Sequence, residues 1–174
     1  MAVRPNVKVI DEEVTFEEEG LDARALITRT DKRGIITFAS KAYRDMTKYS
    51  KEELIGKPHS IVRHPMMPEV AFKQMWDTIL AGKHWEGMVR NLRKDGKYYW
   101  VIVQIDPLNE AGEIIYDKPE EIAGFVAVRR EPSRKEIQEA DALYRELRKK
   151  ELLEKENLKD WEREVLVWIS EGKF

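Results

Sequence analysis

Residues 85–93 and 97–106 are β-rich runs joined by Lys94-Asp95-Gly96. Asp-Gly between two such runs is among the strongest local signals for a β-hairpin, because its turn needs positive φ at the central residues. That signal commits the middle of the chain to antiparallel sheet. A second hairpin precedes it: residues 25–30 and 35–39 are apolar and β-prone, and Asp31-Lys32-Arg33-Gly34 links them. Residues 122–129 supply a last strand, after a polar loop that contains Pro119.

Helices fall between the hairpins. Ser40 is placed to cap a short helix through Met46, and Ser50 with Glu53 forms the capping-box pattern for another that stops at Gly56. Pro68 opens an amphipathic helix to about Leu80, with Val70, Phe72, Met75, Trp76, Ile79 and Leu80 near one face and Gly82 as its stop. The order strand, strand, helices, then three strands predicts an α+β domain, an antiparallel sheet with helices gathered on one face.

Three zones follow. Residues 1–21 are acidic and irregular and read as a tail or a short cap, residues 22–131 form the sheet domain, and residues 132–174 are helical. In the last zone Ile137, Ala140, Tyr144, Leu147, Glu151, Glu154, Leu158, Trp161, Val165 and Trp168 follow 3-4 spacing, with the two glutamates interrupting the seam. An unbroken helix over 133–170 would be roughly 55 Å long at 1.5 Å per residue. It therefore projects, pairs, or bends near 150–155. The expectation is association through this helix, with Trp161 and Trp168 as anchors.

Composition removes whole classes of function. The 174 residues hold 31 Lys plus Arg against 33 Asp plus Glu, so the basic excess of a nucleic-acid domain is missing. There is no cysteine, which excludes disulfides, thiolate metal sites, a cysteine nucleophile and a cysteinyl–flavin photoadduct. No apolar run nears the ~20 residues that span a bilayer, and residues 1–20 lack the hydrophobic segment of a signal peptide. The expectation is a soluble, cytoplasmic chain with no direct membrane insertion. No nucleophile elbow, phosphate loop or dinucleotide fingerprint is present, so an enzyme is not expected.

The segment 56–68 stands out. Three prolines make it rigid, and it holds His59, Arg63 and His64, with His84 the remaining histidine. The histidine spacing argues against a metal site. Arg63 can pair bidentately with a phosphate or carboxylate, and Trp76, Trp85, Tyr98, Tyr99 and Trp100 can flank a planar cofactor. The residues taken alone equally allow Arg63 to tie down a loop and the tryptophans to fill a small core.

Residues 27–39 resemble the opening hairpin of PAS domains. Gly56-Lys57-Pro58-His59, Arg63-His64-Pro65-Met66-Met67-Pro68, Phe72, Met75-Trp76, Gly82, Trp85-Glu86-Gly87, Asn91-Leu92-Arg93-Lys94-Asp95-Gly96 and Tyr98-Tyr99-Trp100-Val101 resemble the PAS domain of aerotaxis and energy-taxis receptors. The likeness runs over about residues 24–131. It implies a five-stranded antiparallel sheet with helices on one face and noncovalent FAD. It also implies a sensor of the redox state of electron transport. By the same resemblance Arg63, His64, Trp85 and Asn91 take flavin-binding positions, Trp76 lies close to the pocket, and Ser40 and Met66 stand where the family commonly has Asn and Asp. Ser40 retains one hydrogen bond for the cofactor; Met66 does not replace a carboxylate. The partner implied is a membrane chemoreceptor or its cytoplasmic linker, reached by a homodimeric PAS protein recruited to the inner membrane through that receptor. A haem sensor using His59, His64 or His84, and a cofactor-free dimerisation module, are the alternatives.

Overall fold

A computed structural model describes residues 5–21 and 25–174. Residues 1–4 of the acidic segment and residues 22–24 at the start of the expected sheet domain lie outside the described residues. The elements are β1 Leu26–Asp31, β2 Ile36–Ala39, α1 Lys41–Thr47, α2 Lys51–Leu54, α3 Glu69–Leu80, β3 Trp85–Leu92, β4 Tyr98–Leu108, β5 Gly124–Arg130, α4 Arg134–Leu153 and α5 Asp160–Ser170. A short 3₁₀ turn covers His59–Val62. All five strands form one antiparallel sheet in the order β2-β1-β5-β4-β3. The last strand thus enters between the two hairpins.

Caps set the short helices. Ser40 Oγ accepts from Tyr43 N, and Ser50 and Glu53 form the reciprocal capping box. At the β3–β4 turn, Gly96 sits at φ +89°, and a Cβ there would lie 2.0 Å from the Lys8 carbonyl oxygen. Only glycine lets the N-terminal segment cross so closely, where Ile10 N donates to Gly96 O. That segment is a cap rather than a tail. Val14, Phe16 and Leu21 are buried in the main core. Glu13 pairs in parallel with Tyr98, beyond the end of the β4–β5 pairing.

Successive residues of β4 point to opposite faces, as a pleated strand requires. Tyr99, Val101, Val103 and Ile105 join the core under α1–α3, while Tyr98 and Trp100 pack with Ile137 and Ala140 of α4. The helices between the hairpins, α1–α3, thus gather on one face as expected, and the long C-terminal helix α4 lies on the other. A three-residue link, Glu131-Pro132-Ser133, joins β5 to α4, and the capping box of Ser133 with Glu136 fixes where that helix begins.

The C-terminal zone is not one projecting rod. It breaks between Leu153 and Asp160, next to Glu151 and Glu154, and α5 folds back on α4. Trp161 and Trp168 pack half-buried with Met66, Leu152, Val165 and Phe174 of the same chain. Much of the stripe assigned to association is thus covered in cis. Among the described residues no helix is long and apolar enough to cross a membrane.

Candidate functional site

Between the inner sheet face and α3 lies a cavity of about 780 Å³. Its walls come from alternate residues of three strands, Val89 and Asn91 of β3, Val103 and Ile105 of β4, and Phe125, Ala127 and Arg129 of β5. The proline-bounded turn adds His59, Ser60 and Arg63, and α3 adds Phe72, Met75, Trp76 and Ile79. Trp85 closes one side. Its indole lies over Gly87, where a Cβ would stand 2.4 Å from the ring, and its Nε1 donates to Gln74 Oε1 at 3.4 Å. Trp76 meets Phe125 edge-on at 5.9 Å. An apolar, aromatic hollow of this size with a few polar groups has the character of a small-molecule site.

The polar groups are arranged in two sets. At the mouth Arg33 and Lys73 are exposed, and the Arg63 guanidinium stacks 3.9 Å from the Phe72 ring centroid. Glu151 of α4 also reaches the mouth, accepting from Glu69 N and Val70 N at 2.8 Å each. Deeper, Asn91 Nδ2 donates to Tyr99 Oη at 3.4 Å. Arg129 is 3 % exposed; its Nη2 donates to Thr28 Oγ1 at 3.0 Å and to His59 Nε2 at 2.8 Å, and its guanidinium lies 4.8 Å from the Tyr43 ring centroid. Because a guanidinium nitrogen donates and never accepts, His59 Nε2 is the bare nitrogen and the imidazole is neutral.

Arg63, Trp76, Trp85 and Asn91 thus line one cavity. Ser40 and His64 do not. The Ser40 oxygen is committed to Tyr43 N and Ile27 N, at 3.3 and 3.1 Å. His64 follows Arg63 in extended backbone, so it faces the other way. It is fully buried, accepts from Met66 N at Nδ1, and contacts the rings of Tyr98 and Phe174 beneath the C-terminal helices. Met66 lines that same interface and not the cavity, so the carboxylate missing there takes nothing from the pocket. Sequence reasoning missed Arg129 and named His59 only as a candidate ligand in the haem alternative. The visible signal was an arginine in step with Phe125 and Ala127 along a strand. No group of three His, Asp or Glu among the described residues is placed to hold a metal ion.

Burial and the Arg129 charge push the His59 pKa down to about 3. Burial, with Arg90 and Arg145, holds His64 well below its ordinary value. The unfolded chain protonates both near ~6.5, so it binds more protons than the folded state below that pH. Stability present above pH 6.5 is therefore lost as pH falls toward 3. Urea unfolding is expected to show a loss of about 4 kcal/mol between pH 6.5 and 4.5, about 2 kcal/mol for each histidine, and about half of that loss in His59→Gln.

A family model described as the PAS fold matches residues 36–118. The aerotaxis receptor of Escherichia coli K12 is 36% identical over 126 residues, covering 72% of this chain and 23% of the receptor. The nitrogen fixation regulatory protein of Klebsiella pneumoniae is 33% identical over 93 residues, covering 53% of this chain and 19% of that protein. The chain spans less than a quarter of the length of either. Among solved structures, the dark state of the blue-light photoreceptor Aureochrome1 LOV superposes with a TM-score of 0.55 at 19% identity, covering 78% of this chain and 99% of that one. The family match, the aerotaxis relative and the five-stranded sheet agree: the chain belongs to the PAS family of signalling sensor domains and is of the aerotaxis-receptor type.

Proposed function

We propose that the cavity holds FAD noncovalently and that the chain is a redox sensor, not an enzyme, reporting to a chemotaxis receptor. The observation that carries this reading is the convergence of Trp76, Trp85, Arg63 and Asn91 on one cavity of about 780 Å³. Bound flavin supplies a ring that takes up electrons and protons. The chain does the rest. Trp76, Trp85 and Phe125 present apolar faces to a planar group, Asn91 offers an amide donor and acceptor, and Arg33 and Lys73 are the exposed cations that meet phosphates. Among the histidines only His59 lines the cavity, and its Nε2 is engaged by Arg129 and Thr28, which favours flavin over haem.

Output has a route in β3. Asn91 faces the cavity, while its neighbour Arg90 faces outward, pairs with Asp141 of α4 and stacks on Tyr98 and Trp100. Glu151 ties α4 to the cavity mouth a second time. Beneath the helical hairpin, Arg90 Nη1, His64 Nε2 and Trp161 Nε1 have no hydrogen-bond partner among the described residues. Such orphaned groups weaken the docking, so a modest change at β3 suffices to shift it. Leu143, Leu153 and Val167 are exposed on the hairpin. They are our candidates for contact with the receptor linker or a second copy, in a cytoplasmic homodimer held at the inner membrane by its receptor.

Titration of flavin-free protein with FAD should quench flavin fluorescence at one equivalent per chain. Asn91→Leu should weaken binding about tenfold, the worth of one hydrogen bond at ~1.4 kcal/mol. No uptake by the folded protein would remove the reading.

A further inference from the structure

Arg129 lies at the inner end of the cavity, away from the exposed Arg33 and Lys73, and is itself 3 % exposed. Its partners are the Leu26 and Ala127 carbonyls at 3.4 and 3.5 Å, the Thr28 hydroxyl and the His59 imidazole. None of the ion pairs among the described residues includes it. The groups that face it are all neutral. Tyr43 is pushed up to about 12 by burial, Tyr99 is raised further by burial and by Tyr43, and His59 stays uncharged. The cavity's acidic residues, Glu69 and Glu151, sit at the mouth, where they hold the α3 N-terminus, Arg148 and Lys155. Buried charges in proteins are paired, because desolvating a lone ion costs several kcal/mol. Here no negative partner stands among the described residues, and the cation borders a ligand cavity.

We infer that Arg129, with Thr28 and His59 beside it, is a seat for a negatively charged ring edge, so that the cavity prefers the anionic form of its flavin to the neutral one. The inference rests on the flavin reading and adds a charge preference to it. Reduction by a low-potential donor such as dithionite gives the ring two electrons. With one proton the reduced ring is an anion, its charge spread over the N1–C2 carbonyl edge; with two it is neutral. An unpaired guanidinium favours the first outcome, and an apolar wall alone favours the second.

The test is the pH dependence of the midpoint potential of FAD-loaded protein between about pH 5 and 6, with free FAD alongside. One proton per two electrons gives about 30 mV per pH unit and two protons give about 59 mV. The loaded protein should show about 30 mV or less where free FAD shows about 59. Arg129→Gln should steepen the slope toward 59 and lower the potential at pH 7 by at least about 30 mV, the equivalent of a tenfold loss of preference. Arg129→Lys should restore most of both. A slope near 59 in the unmodified protein overturns the inference whether or not the variants fold, as does Arg129→Gln behaving as the unmodified protein. Both results leave flavin binding standing. Failure of the folded protein to take up FAD is a separate result that overturns both.

Discussion

Ala127→Trp is expected to lower the affinity for FAD at least about 100-fold, a change of ~2.7 kcal/mol, while leaving the sheet intact. Ala127 lies in β5 at the middle of the sheet, paired with Thr28 of β1 and Ile105 of β4, and its methyl group lines the cavity between Phe125 and Arg129. An indole there fills space that the fold already leaves open, so the strain of overpacking, ~1–3 kcal/mol in a filled core, is mostly avoided. Strand pairing does not involve the side chain. Flavin content after purification and reconstitution reads the first effect, and the melting temperature of the flavin-free protein reads the second. Full flavin content in a folded variant would place the cofactor elsewhere.

Arg148→Ala should undock the C-terminal hairpin. Arg148 is 2 % exposed and fastens α4 across the β3 edge to the far side of the sheet, donating from Nε to the Pro65 carbonyl at 2.9 Å and from Nη1 to Glu151 at 3.4 Å, with Glu69 at 4.0 Å. Truncation leaves two carboxylates facing each other and a buried carbonyl without its donor. Breaking a buried pair costs ~3–5 kcal/mol, and the partial solvation of both glutamates puts this case near ~3. That exceeds what a hairpin with orphaned groups beneath it is expected to withstand. Limited proteolysis should cut residues 154–159 at least about 20-fold faster, while amides of β4 and β5 keep their protection. Equal cutting rates would show that the apolar contacts of Met66, Leu152 and Val165 hold the hairpin unaided.

The local pieces of this fold were legible because each has a local cause. Asp95-Gly96 makes the long hairpin, Ser50 with Glu53 caps α2, and Glu151 with Glu154 marks the region where the C-terminal helix gives way. Strand order was not legible. Placing β5 between the hairpins depends on pairing Leu26–Asp31 with Gly124–Arg130, almost a hundred residues away, and no short-range pattern encodes that register.

Site residues divided the same way. Trp76 and Asn91 sit on regular elements whose period points them inward. His64 was misplaced because one residue of extended chain reverses the side, and the likeness of the Arg-His-Pro string says nothing about which side that is. Ser40 had two readings, cap and cofactor contact, and its oxygen is spent on the cap. Arg129 escaped notice because an arginine beside Arg130 at the end of a strand reads as a solvent-facing charge until the sheet shows that both of its flanks are covered.

The central claim, that this cavity binds flavin and responds to its redox state, is tested most directly by one ultraviolet–visible spectrum of the freshly purified protein, taken before and after dithionite. The account predicts the two absorption bands of an oxidised flavin, bleached on reduction and restored by air. A Soret band, or a colourless protein that remains colourless after incubation with FAD, would contradict it.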